Sequence, residues 1–317
     1  MTLKTIFINS NHDLKLFVCS LQNTPYITID TEFRRENTFW PELCLIQVAS
    51  SETIALIDPL SPHLDLSIFH GILKDPKIVK VLHAAFEDME IFLNQMGEMP
   101  ISVFDTQIAA QFCGFGESVG YDTLIKSLCS KDIDKSQQRT DWTKRPLTEA
   151  QITYAVADVF YLRQAYEIMV KLLQKKGRLS WVKEEMSNFF VSKTFQRTGD
   201  EIWNRIKSPK ETPKTRILVK ELAFWREDEA KRLNLPRGWV LSDTEIITLS
   251  SIMPQTQDAF FKIKSLSRLF EKRYVGDIVD CIKKALLIPQ ALWPLKRVNL
   301  PHLFYENQQL DCLCAGS

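Results

Sequence analysis

Apolar positions change their period along this chain. Tyr26-Ile27-Thr28-Ile29-Asp30 is short, β-branched and aromatic, and predicts a strand. Residues 43–49 (LCLIQVA) and 53–57 (TIALI) predict two more, with little more than Ser-Ser-Glu between them, hence a hairpin. Residues 78–82 (IVKVL) predict a fourth strand and 101–104 a fifth. Phe86, Met89, Ile91, Phe92 and Met96 then recur at helical spacing. Strands that begin antiparallel and afterwards alternate with helices predict an α/β fold with a mixed sheet.

A long helix is expected to begin at Thr148, where Thr148-Glu149-Ala150-Gln151 has capping-box spacing, and to stop near Lys176 before Gly177. A further helical stretch runs to about Ile206. Lys207-Ser-Pro209-Lys-Glu-Thr-Pro213-Lys214 reads as a linker, because two prolines stand among mostly polar residues. Beyond it the pattern is helical: 215–233 is amphipathic, Ser242-Asp-Thr-Glu245 caps an apolar segment, and 270–287 is a closing helix. The expected organisation is an α/β domain over 1–206, a linker over 207–214, a small all-α bundle over 215–290 and a tail over 291–317.

Composition narrows the class. Hydrophobic residues make up 45% and charged residues 25% of 317, as in ordinary globular proteins, so most of the chain should fold. No apolar run reaches the roughly 18–20 residues of a membrane helix, and residues 1–10 lack signal-peptide features, so the expectation is a cytoplasmic protein with no membrane partner. The seven cysteines are scattered without a C-x-x-C pair, which argues against a zinc ribbon or a disulfide framework. Cys312 and Cys314 are read as incidental thiols of the tail. Residues 1–200 hold 21 Lys/Arg against 25 Asp/Glu, whereas 201–290 hold 17 against 12. A basic accessory part of this kind attracts a polyanion.

Three acidic motifs carry candidate chemistry. Asp30 and Glu32, at i and i+2 of a strand, aim at one face, and such neighbours repel unless a cation neutralises them. Hard oxygen ligands favour Mg²⁺ or Mn²⁺ over zinc. Tyr154 and Asp158 share a helix face at i, i+4. Glu87, Asp88 and Glu90 crowd the start of the helix after the fourth strand, and position alone does not choose among them. His83, at the end of that strand, is read as structural.

Taken in order, these motifs resemble the ribonuclease D branch of the DEDD exonuclease superfamily. Asp30-Thr-Glu32-Phe, Pro41-Glu-Leu-Cys-Leu-Ile-Gln47, His83 to Phe92, Phe104-Asp-Thr-Gln107 and Asp141-Trp-Thr-Lys-Arg145-Pro-Leu147, running into Tyr154 and Asp158, carry the resemblance. Trp225-Arg226, Asn234-Leu-Pro-Arg237-Gly-Trp-Val240 and Asp243 resemble the helical domain shared with RecQ-type helicases. The resemblance implies a ribonuclease H-like exonuclease domain that releases nucleoside 5′-monophosphates from RNA 3′ ends, precursor transfer RNA being the suggested substrate. It selects Asp88 among the three crowded acids. It also implies two divalent ions, Mg²⁺ or Mn²⁺, with Asp30 bridging both, Glu32 and Asp158 completing one site, Asp88 holding the second and Tyr154 orienting the attacking water. Arg145, Lys231, Arg232 and Arg237 are the candidate RNA contacts. The chain departs from the family at Ser265, where a glycine is common, and a second helical domain is expected to be missing or a remnant. A DNA 3′-5′ exonuclease and a non-catalytic RNA-binding scaffold are the alternatives. Oligomeric state is left open.

Overall fold

A computed structural model describes residues 3–191, 199–207, 211–264, 266 and 274–294. The linker core at 208–210, Ser265, the expected start of the closing helix at Phe270, and the tail with Cys312 and Cys314 lie outside the described residues. The chain divides into two units: one of residues 1–35 and 41–195, the other of 36–40 and 196–317.

The first unit is built on a six-stranded mixed sheet. Its strands are β1 (Lys4–Ile8), β2 (Tyr26–Arg34), β3 (Glu42–Ala49), β4 (Thr53–Ile57), β5 (Val79–Leu82) and β6 (Val103–Asp105), in the order β1-β4-β3-β2-β5-β6. β2, β3 and β4 are antiparallel neighbours, and β1, β5 and β6 add in parallel. β3 is central and nearly every residue in it is buried, which is why it reads as a continuous apolar run. One face of the sheet packs on α1 (Asn11–Ser20), α2 (Ser67–Leu73) and α3 (Phe86–Met96) through Phe17, Ile29, Val48, Phe69, Met89 and Phe92. The other face takes α6 (Glu149–Lys175) through Leu45, Ala49, Ile54, Leu56, Ala155 and Val159. α4 (Thr106–Cys113), α5 (Tyr121–Cys129) and α7 (Leu179–Phe189) complete a further apolar cluster with α6 around Phe104, Leu124, Leu162 and Met186.

The expected hairpin, the capping box of Thr148 with Gln151, and the stop before a left-handed Gly177 (φ 65°) are all present. Two strands differ from expectation. β1 lies at the sheet edge with Ile8 as its one buried residue, so it leaves no apolar run to read. β2 continues past Asp30 to Arg34, with a register shift between Glu32 and Phe33, because the acids stand within the strand and do not end it.

The second unit is helical among its described residues. Its elements are α8 (Gly199–Asn204), α9 (Pro213–Leu233), α10 (Arg237–Val240), α11 (Asp243–Ile252), α12 (Gln257–Phe261) and α13 (Val275–Leu287). Leu218, Leu222, Leu241, Ile246, Leu249, Ile278 and Ile282 form its core, joined by Phe39, Trp203 and Ile206. Pro213 and Lys214, expected in a linker, open α9. Thr212 caps that helix in a box with Thr215, and Pro213 takes the first helical position, where a missing N–H costs nothing.

Candidate active site

Asp30 and Glu32 project from β2 towards α6, the face that also carries Thr28, whose hydroxyl bonds the Val159 carbonyl at 2.8 Å. That bond seats α6 on β2. Asp158, one residue earlier on α6, thereby joins the pair. Carboxylate oxygens of Asp30, Glu32 and Asp158 all lie within 4.8 Å of one another. Asp88 stands outside this tight group. It is buried in the first turn of α3, accepts a hydrogen bond from Thr31 and still feels the charge of Asp30. Its neighbours part from the site: Glu90 pairs with Arg35 at 2.7 Å, and Glu87 makes no part of the acid group.

Electrostatics marks the cluster as cation-seeking. Burial lifts the Asp30 carboxyl from 3.8 to about 7, against a weaker pull from the Thr31 backbone N–H. Burial, then Asp30, Asp158 and Asp88, push Glu32 up to about 10. Burial and Asp30 raise Asp158 to about 8, opposed by a hydrogen bond from Tyr154. Asp88 is raised by burial and by Asp30. Acids this close cannot all ionise without a counter-charge. An all-oxygen donor set of this kind fits a hard divalent cation. Burial and the nearby Asp158 raise the Tyr154 phenol, so it keeps its proton and can donate it in a hydrogen bond.

Several residues without an assigned role hold this geometry. Asp105 is fully buried and accepts backbone N–H bonds from Ala84, Ala85, Gln107 and Ile108. It pins the turn before α3, where Ala84 has φ 53°, and so places Asp88. The Tyr121 hydroxyl bonds the Asp158 carbonyl. Gln47 lies opposite Asp30 in the β2–β3 register, and its fully buried amide makes no hydrogen bond. Directly opposed residues share a face, so this amide stands beside the acids. The signal in the sequence was a lone Gln inside an apolar strand. His83 packs against Tyr121 and bonds Thr106 at 3.0 Å, and burial depresses it to about 4, which keeps it neutral and structural.

The four basic candidates are placed less favourably for RNA. Arg145 spends all five of its N–H donors on Asp58, Cys44, Trp142 and Lys144. It is a bracket between strands and has no donor left for a phosphate. Arg232 pairs with Glu229 at 2.6 Å. Arg237 grips the buried Glu227 through Nε and Nη2, lies 4.4 Å over the Phe39 ring, and has Lys231 beside it, 3.7 Å from the same carboxylate. Only part of the Arg237 guanidinium is spent, which leaves Nη1 outside that pair.

A family model described as 3′-5′ exonuclease matches residues 5–174, and one described as HRDC domain matches 216–282. The chain is 40% identical over 288 residues to ribonuclease D of Granulibacter bethesdensis, covering 90% of this chain and 73% of that one. It is 39% identical over 290 residues to ribonuclease D of Gluconacetobacter diazotrophicus, covering 91% and 74%. The chain belongs to the ribonuclease D family. The crystal structure of Escherichia coli RNase D, described as an exoribonuclease involved in structured RNA processing, superposes with TM-score 0.83 at 31% identity, covering 95% of this chain and 80% of that one. As in that family, a mixed-sheet exonuclease domain is joined to an HRDC region. No helix among the described residues of this ribonuclease D family member is long and apolar enough to cross a membrane.

Proposed function

We propose that this 3′-5′ exoribonuclease trims the 3′ ends of precursor transfer RNA by a two-ion hydrolysis centred on Asp30, Glu32 and Asp158. The observation that carries the reading is the group of three carboxylates within 4.8 Å, Glu32 and Asp158 buried and Asp30 half-buried, with the Tyr154 hydroxyl hydrogen-bonded to one of them. Asp30, Glu32 and Asp158 would hold one Mg²⁺ or Mn²⁺, and Asp30 with Asp88 a second. When bound, two such ions stabilise the entering and leaving oxygens of a phosphodiester displacement. Tyr154 stands at this group and orients the attacking water by hydrogen bonding. Thr31 and Asp105 keep Asp88 in place. The exonuclease domain, proposed to span 1–206, does the cutting, and the helical domain at 215–290 holds RNA.

The test is a gel-resolved time course on a 3′-extended transfer RNA and a DNA of matched sequence. Stepwise loss of 3′ nucleotides from the RNA with Mg²⁺ or Mn²⁺, none with chelator, and slow attack on DNA is the expected result. Equal rates on both would make it a general exonuclease. Activity in chelator would remove the role given to the acids.

A further inference from the structure

The buried run of β3, Leu43-Cys-Leu-Ile-Gln47-Val-Ala49, is apolar except at Gln47. That residue is 0% exposed, and both its amide nitrogen and its amide oxygen are buried without a hydrogen-bond partner. Packing does not account for it. Along β3 the same face carries Leu45 and Ala49, and on β4 the register sets Leu56 opposite. A methionine or leucine would fill this space without stranding two polar atoms, and a buried polar atom left unpaired is costly. An orphan of this kind in a folded protein calls for a role in the chemistry beside it.

The register supplies the acceptor. β2 and β3 pair with Asp30 directly opposite Gln47, while Thr28 and Glu32 stand two places to either side, opposite Ala49 and Leu45. Directly opposed side chains set their Cβ atoms about 4.5–5.5 Å apart, and diagonal neighbours stand further off. Thr28 is engaged, its hydroxyl donating to the Val159 carbonyl. Asp58, beyond Leu56 on the β4 side, is held by Arg145. Among the acids, Asp88 takes the Thr31 hydroxyl and Asp158 the Tyr154 hydroxyl. Asp30 takes the backbone N–H of Thr31, and no side chain among the described residues donates to it.

We infer that Gln47 is a positioning residue for Asp30. Its Nε2 donates a hydrogen bond to one Asp30 carboxylate oxygen and so turns the other toward Glu32 and Asp158, whose oxygens lie within 4.8 Å. The last torsion of a glutamine is soft, so the amide reaches its acceptor without disturbing β3. Carboxylates that hold a metal ion are themselves hydrogen-bonded, and these bonds fix their orientation. The inference rests on the reading of Asp30 as an ion ligand and adds the group that orients this ligand.

The experiment follows Mn²⁺ binding to the full chain by electron paramagnetic resonance of the free ion. Thermal melts in chelator and steady-state hydrolysis of 3′-extended transfer RNA run beside it. Gln47→Met keeps the length and removes the donor. It is expected to melt no lower than the unaltered chain, because an apolar group of similar shape replaces an unpaired amide. Its Mn²⁺ dissociation constant is expected to rise about tenfold, and its kcat to fall with the KM for RNA unchanged. A residue that only fills space would alter the melt and leave ion affinity alone. An unaltered Mn²⁺ dissociation constant in Gln47→Met therefore overturns the positioning role, whatever the melt shows. Should that variant fail to fold, nuclear magnetic resonance of the unaltered chain decides. One proton of the assigned Gln47 amide is expected to move downfield on addition of Mg²⁺, and an unmoved pair overturns the role. Asp30→Asn tests the reading beneath. If Mn²⁺ affinity falls in Asp30→Asn and not in Gln47→Met, the role of Gln47 alone is wrong. If it is unchanged in Asp30→Asn, Asp30 is not an ion ligand, and the inference falls with that reading.

Discussion

A carboxylate drawn out of water favours its proton, and Asp30 is raised from 3.8 to about 7 chiefly for that reason. The folded state therefore binds more protons than the unfolded chain between those values, so this group's contribution to stability falls as pH rises through the window. Asp158, raised to about 8, acts in the same direction. Asp30→Asn should consequently melt higher than the unaltered protein in chelator at pH 8, with the gap closing near pH 4. With Mg²⁺ or Mn²⁺ the unaltered protein should recover, because a ligand that binds only the folded form adds stability. The same variant should retain less than about a tenth of the hydrolysis rate if its carboxylate holds both ions. Full activity would exclude the role given to Asp30, and an unchanged melting profile would exclude the charge crowding. Tyr154→Phe isolates a single hydroxyl. The ring still packs against Trp142, at 6.0 Å between centroids, so the fold should survive. Loss of a group that positions water typically slows chemistry about 10²–10⁴-fold. Single-turnover rates at saturating metal measure it, and an unchanged rate would leave Tyr154 as a packing residue. Asp30, Glu32, Tyr154 and Asp158 were legible because i, i+2 in a strand and i, i+4 in a helix fix a common face. Thr31, Gln47, Asp105 and Tyr121 were not, since their importance lies in what the fold brings opposite them.

Elements explain the placement of Arg145. It joins the end of β4, through Asp58, to the Cys44 carbonyl of β3 and to the segment leading into α6. Burial alone would raise Asp58, but hydrogen bonds and charge from Arg145, with help from Ser61 and the Leu60 N–H, outweigh it and hold the carboxyl below its ordinary value. Arg145→Ala leaves that acid buried and unpaired. The cost should be about 2–3 kcal/mol, below the range for a fully buried pair because Arg145 is partly exposed. A lowered carboxyl contributes stability above its ordinary pKa and loses it as pH falls, so the difference between variant and unaltered protein should shrink in acid. Urea melts at pH 7 and pH 3.5 check both points. A variant with normal stability and weakened RNA affinity would return Arg145 to the phosphate-binding role that its motif first suggested. The same scale shows where periodicity succeeds. β3, β4, α3 and α6 bury a long stripe or run and announce themselves. β1 buries one residue at an edge, and Pro213 looks like a break although it opens α9. A proline that ends one helix and a proline that starts another are the same letter, and only the cap at Thr212 tells them apart.

At the scale of the molecule, the two units are not two consecutive stretches of sequence. Residues 36–40, which connect β2 to β3, belong to the helical unit. Phe39 is buried in that unit's core beneath Arg237, and the Trp40 N–H bonds the Asn234 side chain at 3.0 Å. No local pattern announces such an arrangement, because Glu-Asn-Thr-Phe-Trp reads as an ordinary loop and its partners lie nearly 200 residues away. The consequence concerns truncation. A chain ending at Lys207 keeps every acid and Tyr154, and the charge asymmetry alone predicts that it loses RNA affinity and little else. The packing predicts more. Phe39, Trp203 and Ile206 lose the core that buries them, and each large apolar side chain moved into water costs about 1.5–3 kcal/mol. The truncated chain should therefore show exposed apolar surface, read as dye binding and concentration-dependent aggregation. Adding Phe39→Ser and Trp203→Ser should relieve both, because the residues at fault are then polar. Its affinity for 3′-extended transfer RNA should be lower and less dependent on salt, since phosphate contacts have gone. If the chain ending at Lys207 stays monodisperse without those substitutions, the burial of Phe39 contributes little. If its affinity and salt slope match those of the full chain, the helical unit does not hold RNA.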